Sequence, residues 1–284
     1  MNPTANVRPS PIAGQWYSAD PQELRASVSA FIDHAVLPPL PGEVLALVAP
    51  HAGHIYSGAT AGYAYRAVQG KSFDLVAVVS PMHVFHPAML LTSAHRAYGT
   101  PLGVTGIDAD AVQQFSDHLL QSGQFPLTPV ANDMEHSLEI QLPFLQCALA
   151  GDFKLLPVMI RSLNPVLARA VGAALAKTLK GCNALLVAST DLSHFYSRRE
   201  AEHLDREMLH QIEAFSPEGV LHAEDTGSGF ACGAPAVAAV LWAAKELGAA
   251  SVSILHHSTS AETTGDASSV VGYGAAAILK PATH

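Results

Sequence analysis

Charge is what this sequence has least of. Only 14% of its 284 residues are charged, and 24 acidic against 15 basic residues leave a formal net charge of −9. No Lys/Arg cluster occurs, which argues against nucleic acid as a partner. Cysteine is scarce as well: Cys147, Cys182 and Cys232 form no CxxC pair. An odd, low count fits a reducing cytoplasm rather than a disulfide scaffold. No apolar run reaches the roughly 18–20 residues of a membrane helix. The longest, around 234–244, reads as a buried helix. The opening MNPTANVRPSPIAGQW has no apolar h-region, so no secretory signal is expected. A phosphate-cradling loop, GxxxxGK followed by Ser or Thr, is also missing.

Apolar residues and histidine are plentiful. The first make up 49% of the chain, enough for one large globular core. Fifteen histidines equal the Lys and Arg together, and histidine is both a metal ligand and a proton carrier near neutral pH. Short continuous apolar runs at 44–50, 75–80 and 184–189 read as strands buried on both faces. Further strands are expected at 90–93, as an edge, and at 154–160, where Pro157 points to an edge or bulge. Two more are expected at 251–257 and 268–279. Helical patterns cover 21–35, 57–68, 108–122, 136–149, 165–179, 199–214, 217–224 and 234–247. In the first, Asp20 can cap, Pro21 suits the first turn, and Leu24, Val28 and Phe31 recur at helical spacing. Strands alternate with helices and no linker or repeat interrupts them. The expectation is one α/β domain over residues 1–284, with a mainly parallel or mixed sheet and helices on both faces.

Three of the buried-strand runs end in polar residues. The first leads to His51 in PHAGHIYSG, the second to His83 in SPMHVFH, the third to Asp191 and His194 in STDLSH. Ligands of open α/β sheets bind at the carboxyl ends of strands, where such residues converge. Two His with one anionic donor serve non-haem Fe(II) oxygenases, and the same count serves zinc hydrolases. In NDMEHSLEIQLPFL, His136 and Glu139 stand at i, i+3, with Asp133 and Glu135 before them. Cys232 precedes a helix start, a position that lowers a thiol pKa. His203, His210, His222, His256 and His257 fall on helix surfaces or strand ends and are assigned no function. Gly265 and Asp266 read as turn-formers.

These segments, with CGAPAV, TTGDASSVVGYGAA and the opening RPSPIAGQWYSADPQEL, occur in the order of the Memo family. The chain resembles that family from about residue 8 to 279; its bacterial members are called AmmeMemoRadiSam system protein B. The resemblance implies a LigB-like fold, similar to class III extradiol dioxygenases, which cleave catechol rings with non-haem Fe(II) and O₂. It implies iron or copper, zinc less so, held by His51, His83 and Cys232. Asp191 and His194 would line the same pocket, with His136 and Glu139 nearby. The chain departs from the family where GPSHH becomes SPMHV, bringing in Met82 and Val84, and where His54 replaces a usual Tyr.

Three functions follow as expectations. The first is a metal-dependent redox enzyme on a small oxygenated substrate, with His194 or His136 as acid/base and Asp191 orienting a histidine. The second is a non-enzymatic module that binds a metal or partners, which the family name implies to be a radical SAM protein and an AMMECR-type protein. The third is a hydrolase, zinc-dependent or metal-free, with Cys232 as nucleophile and His51 or His194 as its base.

Overall fold

A computed structural model describes residues 6–123 and 125–282. Its centre is four parallel strands in the order β2 (Gly42–Ala49), β9 (Ala184–Ser189), β3 (Leu75–Pro81) and β8 (Lys154–Ile160). On one side the sheet continues through β12 (Val270–Pro281), antiparallel to β2, and then β10 (His194–Tyr196) and β11 (Ser251–Thr259). On the other it continues through β4 (Leu90–Ser93), antiparallel to β8, and β7 (Thr128–Val130). A small second sheet joins β1 (Val7–Arg8), β5 (Ala97–Thr100) and β6 (Gly103–Gly106).

The apolar runs are continuous because both faces of these strands are covered. Along β3, Val76 and Val78 enter one core while Leu75, Ala77 and Val79 enter the other. Helices α1 (Pro21–His34), α2 (His54–Arg66) and α4 (Leu142–Ala148) close the first face. Helices α3 (Ala109–Gly123), α5 (Pro165–Leu179), α6 (Arg198–Glu213), α7 (Pro217–Thr226) and α8 (Ala234–Glu246) close the second. Each fully buried Leu or Val there contributes roughly 1.5–3 kcal/mol. This is the mixed α/β architecture expected, in a single layered unit. In α1 the Asp20 carboxylate accepts the Gln22 and Glu23 amides at 2.8 and 2.9 Å. The third buried residue of that helix is Ile32, not Phe31. A short helix α9 (Ala261–Thr264) ends at Gly265, which adopts φ 72°.

Three expectations change. The stretch 154–160 is not an edge: β8 lies between β3 and β4. Pro157 is tolerated there because β4 pairs only with Ile160 and Met159, and the Pro157 carbonyl is taken by the Thr92 hydroxyl at 2.7 Å. Nor is β4 an edge, since β7 lies outside it. The helix expected over 136–149 starts late. Residues Glu139–Gln141 form a 3₁₀ turn and α4 begins at Leu142, with Pro143 in its first turn. His136 is therefore in a loop, where it can face the strand ends.

Candidate metal centre

β2, β9 and β3 are neighbours and all end on the same side of the sheet. Their carboxyl ends deliver His51, the Ser189–Asp191 segment and His83 to one place. The loop before α4 brings His136 there. The nitrogens of His51, His83 and His136 offer one donor each, all within 4.8 Å of one another. The His83 and His136 rings lie nearly parallel with centroids 4.8 Å apart, and the Trp16 ring rests 4.0 Å from His136.

Hydrogen bonds decide which nitrogen each ring presents. The Ser189 hydroxyl has one proton and gives it to the Ser137 carbonyl, 2.6 Å away. Its lone pairs then accept Gln141 Nε2–H at 2.8 Å and the ring of His51 at Nδ1, 3.0 Å away. His51 thus carries its proton on Nδ1 and leaves Nε2 bare. Glu135 does the same for His83, whose Nδ1 lies 3.0 Å from Oε1. That carboxylate also accepts the backbone N–H groups of His83, Val84, His136 and Ser137. Burial pushes Glu135 up, but these hydrogen bonds and the histidines outweigh it, holding the carboxyl well below its usual range. Burial, with His83 and His136 nearby, holds His51 well below its ordinary value. Burial is also the main reason His136 is lowered to about 4. Neutral imidazoles with one fixed tautomer are what a metal site needs.

A family profile described as Memo-like protein matches residues 8–277. The chain belongs to this family. A MEMO1 family protein of Nitrosopumilus maritimus is 32% identical over 273 residues, covering 95% of this chain and 98% of the relative. One from Methanopyrus kandleri is 32% identical over 279 residues, covering 93% and 96%. A solved chain titled uncharacterized protein JW3007 from Escherichia coli K12 aligns with TM-score 0.49 at 16% identity, over 82% of this chain and 99% of that one.

In this Memo-like chain, Cys232 Sγ lies 3.1 Å from His51 Nε2. With Nε2 bare, the thiol donates. Burial first, and the Asp191 carboxylate second, push the thiol well above its ordinary value. The lowered value expected from its place before α8 is reversed, because the half-buried thiol lies beside the Asp191 carboxylate. Asp191 itself accepts the backbone amides of His51 at 2.7 Å and Ala52 at 3.3 Å. Burial raises its pKa to about 7, against the pull of those two amides. His194 Nδ1 donates to the Leu192 carbonyl at 2.8 Å, leaving Nε2 as the free base. Glu139 turns away from the three histidines. Its Oε1 accepts Tyr17 and Ser10, and its Oε2 meets Arg8 at 2.5 Å. Next to the centre opens a cleft of about 500 Å³, walled by Trp16, Tyr56, Phe195 and Tyr273.

Sequence reasoning named Glu135 only as a neighbour and missed Ser189, Gln141 and Trp16. The signal for Glu135 was a run of polar residues in a chain with few charges. His86 sits on its own loop, bonded to Ala88 N and, through its carbonyl, to Arg161.

His54 is buried at the start of α2, between Tyr17 and Phe144, with Nδ1 unpartnered. Burial lowers its pKa to about 4. A base whose folded pKa is depressed adds proton uptake to unfolding between 6.5 and about 4. The stability it lends is therefore complete above pH 6.5 and lost as pH falls through 4. The difference is about 3 kcal/mol. Replacing His54 with Phe should flatten stability against pH across that window, as read by urea midpoints at pH 7 and pH 4. An unchanged slope would reject this account.

Proposed function

We propose that the chain holds one transition-metal ion at His51, His83 and His136, with Cys232 as a further donor once its thiol proton leaves. The observation that carries this reading is the pair of tautomer locks, which leave bare Nε2 atoms on His51 and His83. Imidazole with thiolate suits iron, copper or zinc, and Fe(II) is the ion we propose. Bound there, the ion would supply redox and Lewis-acid chemistry at its open positions. The protein would act as a redox enzyme on a small oxygenated substrate, resembling extradiol dioxygenases, in the cytoplasm. The aromatic-walled cleft would receive the substrate. His194 Nε2 is the free base that would move its proton, and Asp191 would hold the backbone under His51. Glu139 would act only through the Arg8 network that supports the His136 loop. The upward-shifted Cys232 thiol speaks against the nucleophile of a hydrolase.

The test uses Co(II) as a probe. Wild-type protein should show d–d bands together with a thiolate-to-cobalt band in the near ultraviolet. Cys232→Ser should remove the second and keep the first. A wild-type spectrum with no thiolate band would remove Cys232 from the donors.

A second reading is a module that binds metal and partner proteins without turnover. Phe85, Met134 and Val84 on the loops of His83 and His136 are exposed, Phe85 at 82%, and exposed apolar groups of this kind mark contact surfaces. The radical SAM and AMMECR-type proteins are the partners it would take. Among the described residues no helix is long and apolar enough to cross a membrane.

A further inference from the structure

The segment from Thr190 to Tyr196 carries Asp191, His194 and the cleft wall Phe195. It is not at ease. Phe195 adopts φ 65°, a left-handed backbone that bulky L-residues rarely take. The Ser193 hydroxyl is buried with no hydrogen-bond partner. The loop therefore depends on groups outside itself.

Asp205 on α6 supplies the hold. Its residue is 0% exposed. One oxygen accepts Ser193 N–H at 2.9 Å, and the other meets His257 Nε2 of β11 at 2.8 Å. β12 is cut away to admit the carboxylate: a Cβ on Gly272 would lie 1.9 Å from Asp205 Oδ2. Gly272 also pairs with the loop, donating to the Ser193 carbonyl and accepting from Leu192 N–H, both at 2.8 Å. A buried carboxylate is costly unless its oxygens are occupied, and here both are, one of them by the loop backbone.

We propose that Asp205, braced by His257, is a positioning residue for the metal centre. Through Ser193 it fixes the loop so that Asp191 can grip the His51 and Ala52 amides and His194 can keep its Nδ1 bond to the Leu192 carbonyl. The connection runs from Asp205 to Ser193, along two residues of chain to Asp191, and across to His51. It rests on the metal-site reading for only one of its two readouts.

The experiment is amide hydrogen exchange on the full chain, followed by Co(II) titration. In Asp205→Ala, exchange should quicken about tenfold or more at 190–196 and also at His51 and Ala52. Co(II) affinity should fall about 10–100-fold. Asp205→Asn keeps an acceptor for Ser193 N–H and faces the other tautomer of His257 with a donor, so it should restore both. His257→Phe removes only the brace and should move both readouts in the direction of Asp205→Ala. Leu119→Ala, on the buried face of α3, is the control for general loosening. Unchanged exchange at His51 and Ala52 in Asp205→Ala, or an equal change in Leu119→Ala, overturns the proposal. If Asp205→Ala does not fold, His257→Phe decides by the same criterion. If wild-type protein takes up no Co(II), the metal reading fails, and exchange alone judges Asp205.

Discussion

Replacing His51 and His83 together with alanine should give a folded protein that retains no metal above background. The two rings supply the donors whose tautomers are fixed, His51 by Ser189 and His83 by Glu135. Loss of an outer partner alone costs a metal site about 10–100-fold in affinity, and loss of two ligands must exceed that. Glu135→Gln makes a graded comparison. An amide still accepts some of the five N–H groups, but it no longer presents two anionic oxygens, so affinity should fall within the 10–100-fold range. Metal analysis of purified protein, with circular dichroism to establish folding, reads both. Full metal retention by the folded double variant would sink the site.

The sheet and half of the centre were legible because burial on two faces writes itself as continuous apolar sequence. The runs at 44–50, 75–80 and 184–189 are β2, β3 and β9, adjacent at the middle of the sheet. Their ends point to His51, His83 and Asp191 with no knowledge of strand order. What was not legible depends on contacts between distant segments. Nothing local tells Ser189 to hold a ring 138 residues away, or Glu135 to reach His83 across 52. His136 and Glu139 looked like one helix face, but the Glu135 carboxylate gathers the amides at 136 and 137, and the chain turns before it can coil. Cys232 was misjudged in the same way. Its place before α8 was visible, whereas its burial beside Asp191 was not. His257, taken as a strand-end bystander, meets Asp205 only because α6 crosses β11 and β12 at Gly272.

Arg8→Ala should be the most destabilising single substitution near the centre, by about 3–5 kcal/mol. Arg8 lies on the two-residue strand β1 and is 1% exposed. Its guanidinium meets Asp133 Oδ1 and Oδ2 at 2.7 and 3.0 Å, Glu139 Oε2 at 2.5 Å and the Glu135 carbonyl at 2.7 Å. Alanine would leave two buried carboxylates without a countercharge. The melting temperature should drop on the order of 10 °C. Arg8→Lys should recover little, because one ammonium cannot span two carboxylates and a carbonyl as the planar fork does. Arg8→Met with Asp133→Asn and Glu139→Gln should recover most of the loss, since removing all the charges is far less costly than stranding some. Arg8 grips the same loop that carries Glu135 and His136. Co(II) affinity should therefore fall with stability in Arg8→Ala. A variant that lost stability but kept its Co(II) affinity would mean that Arg8 does not set the positions of Glu135 and His136 at the metal centre.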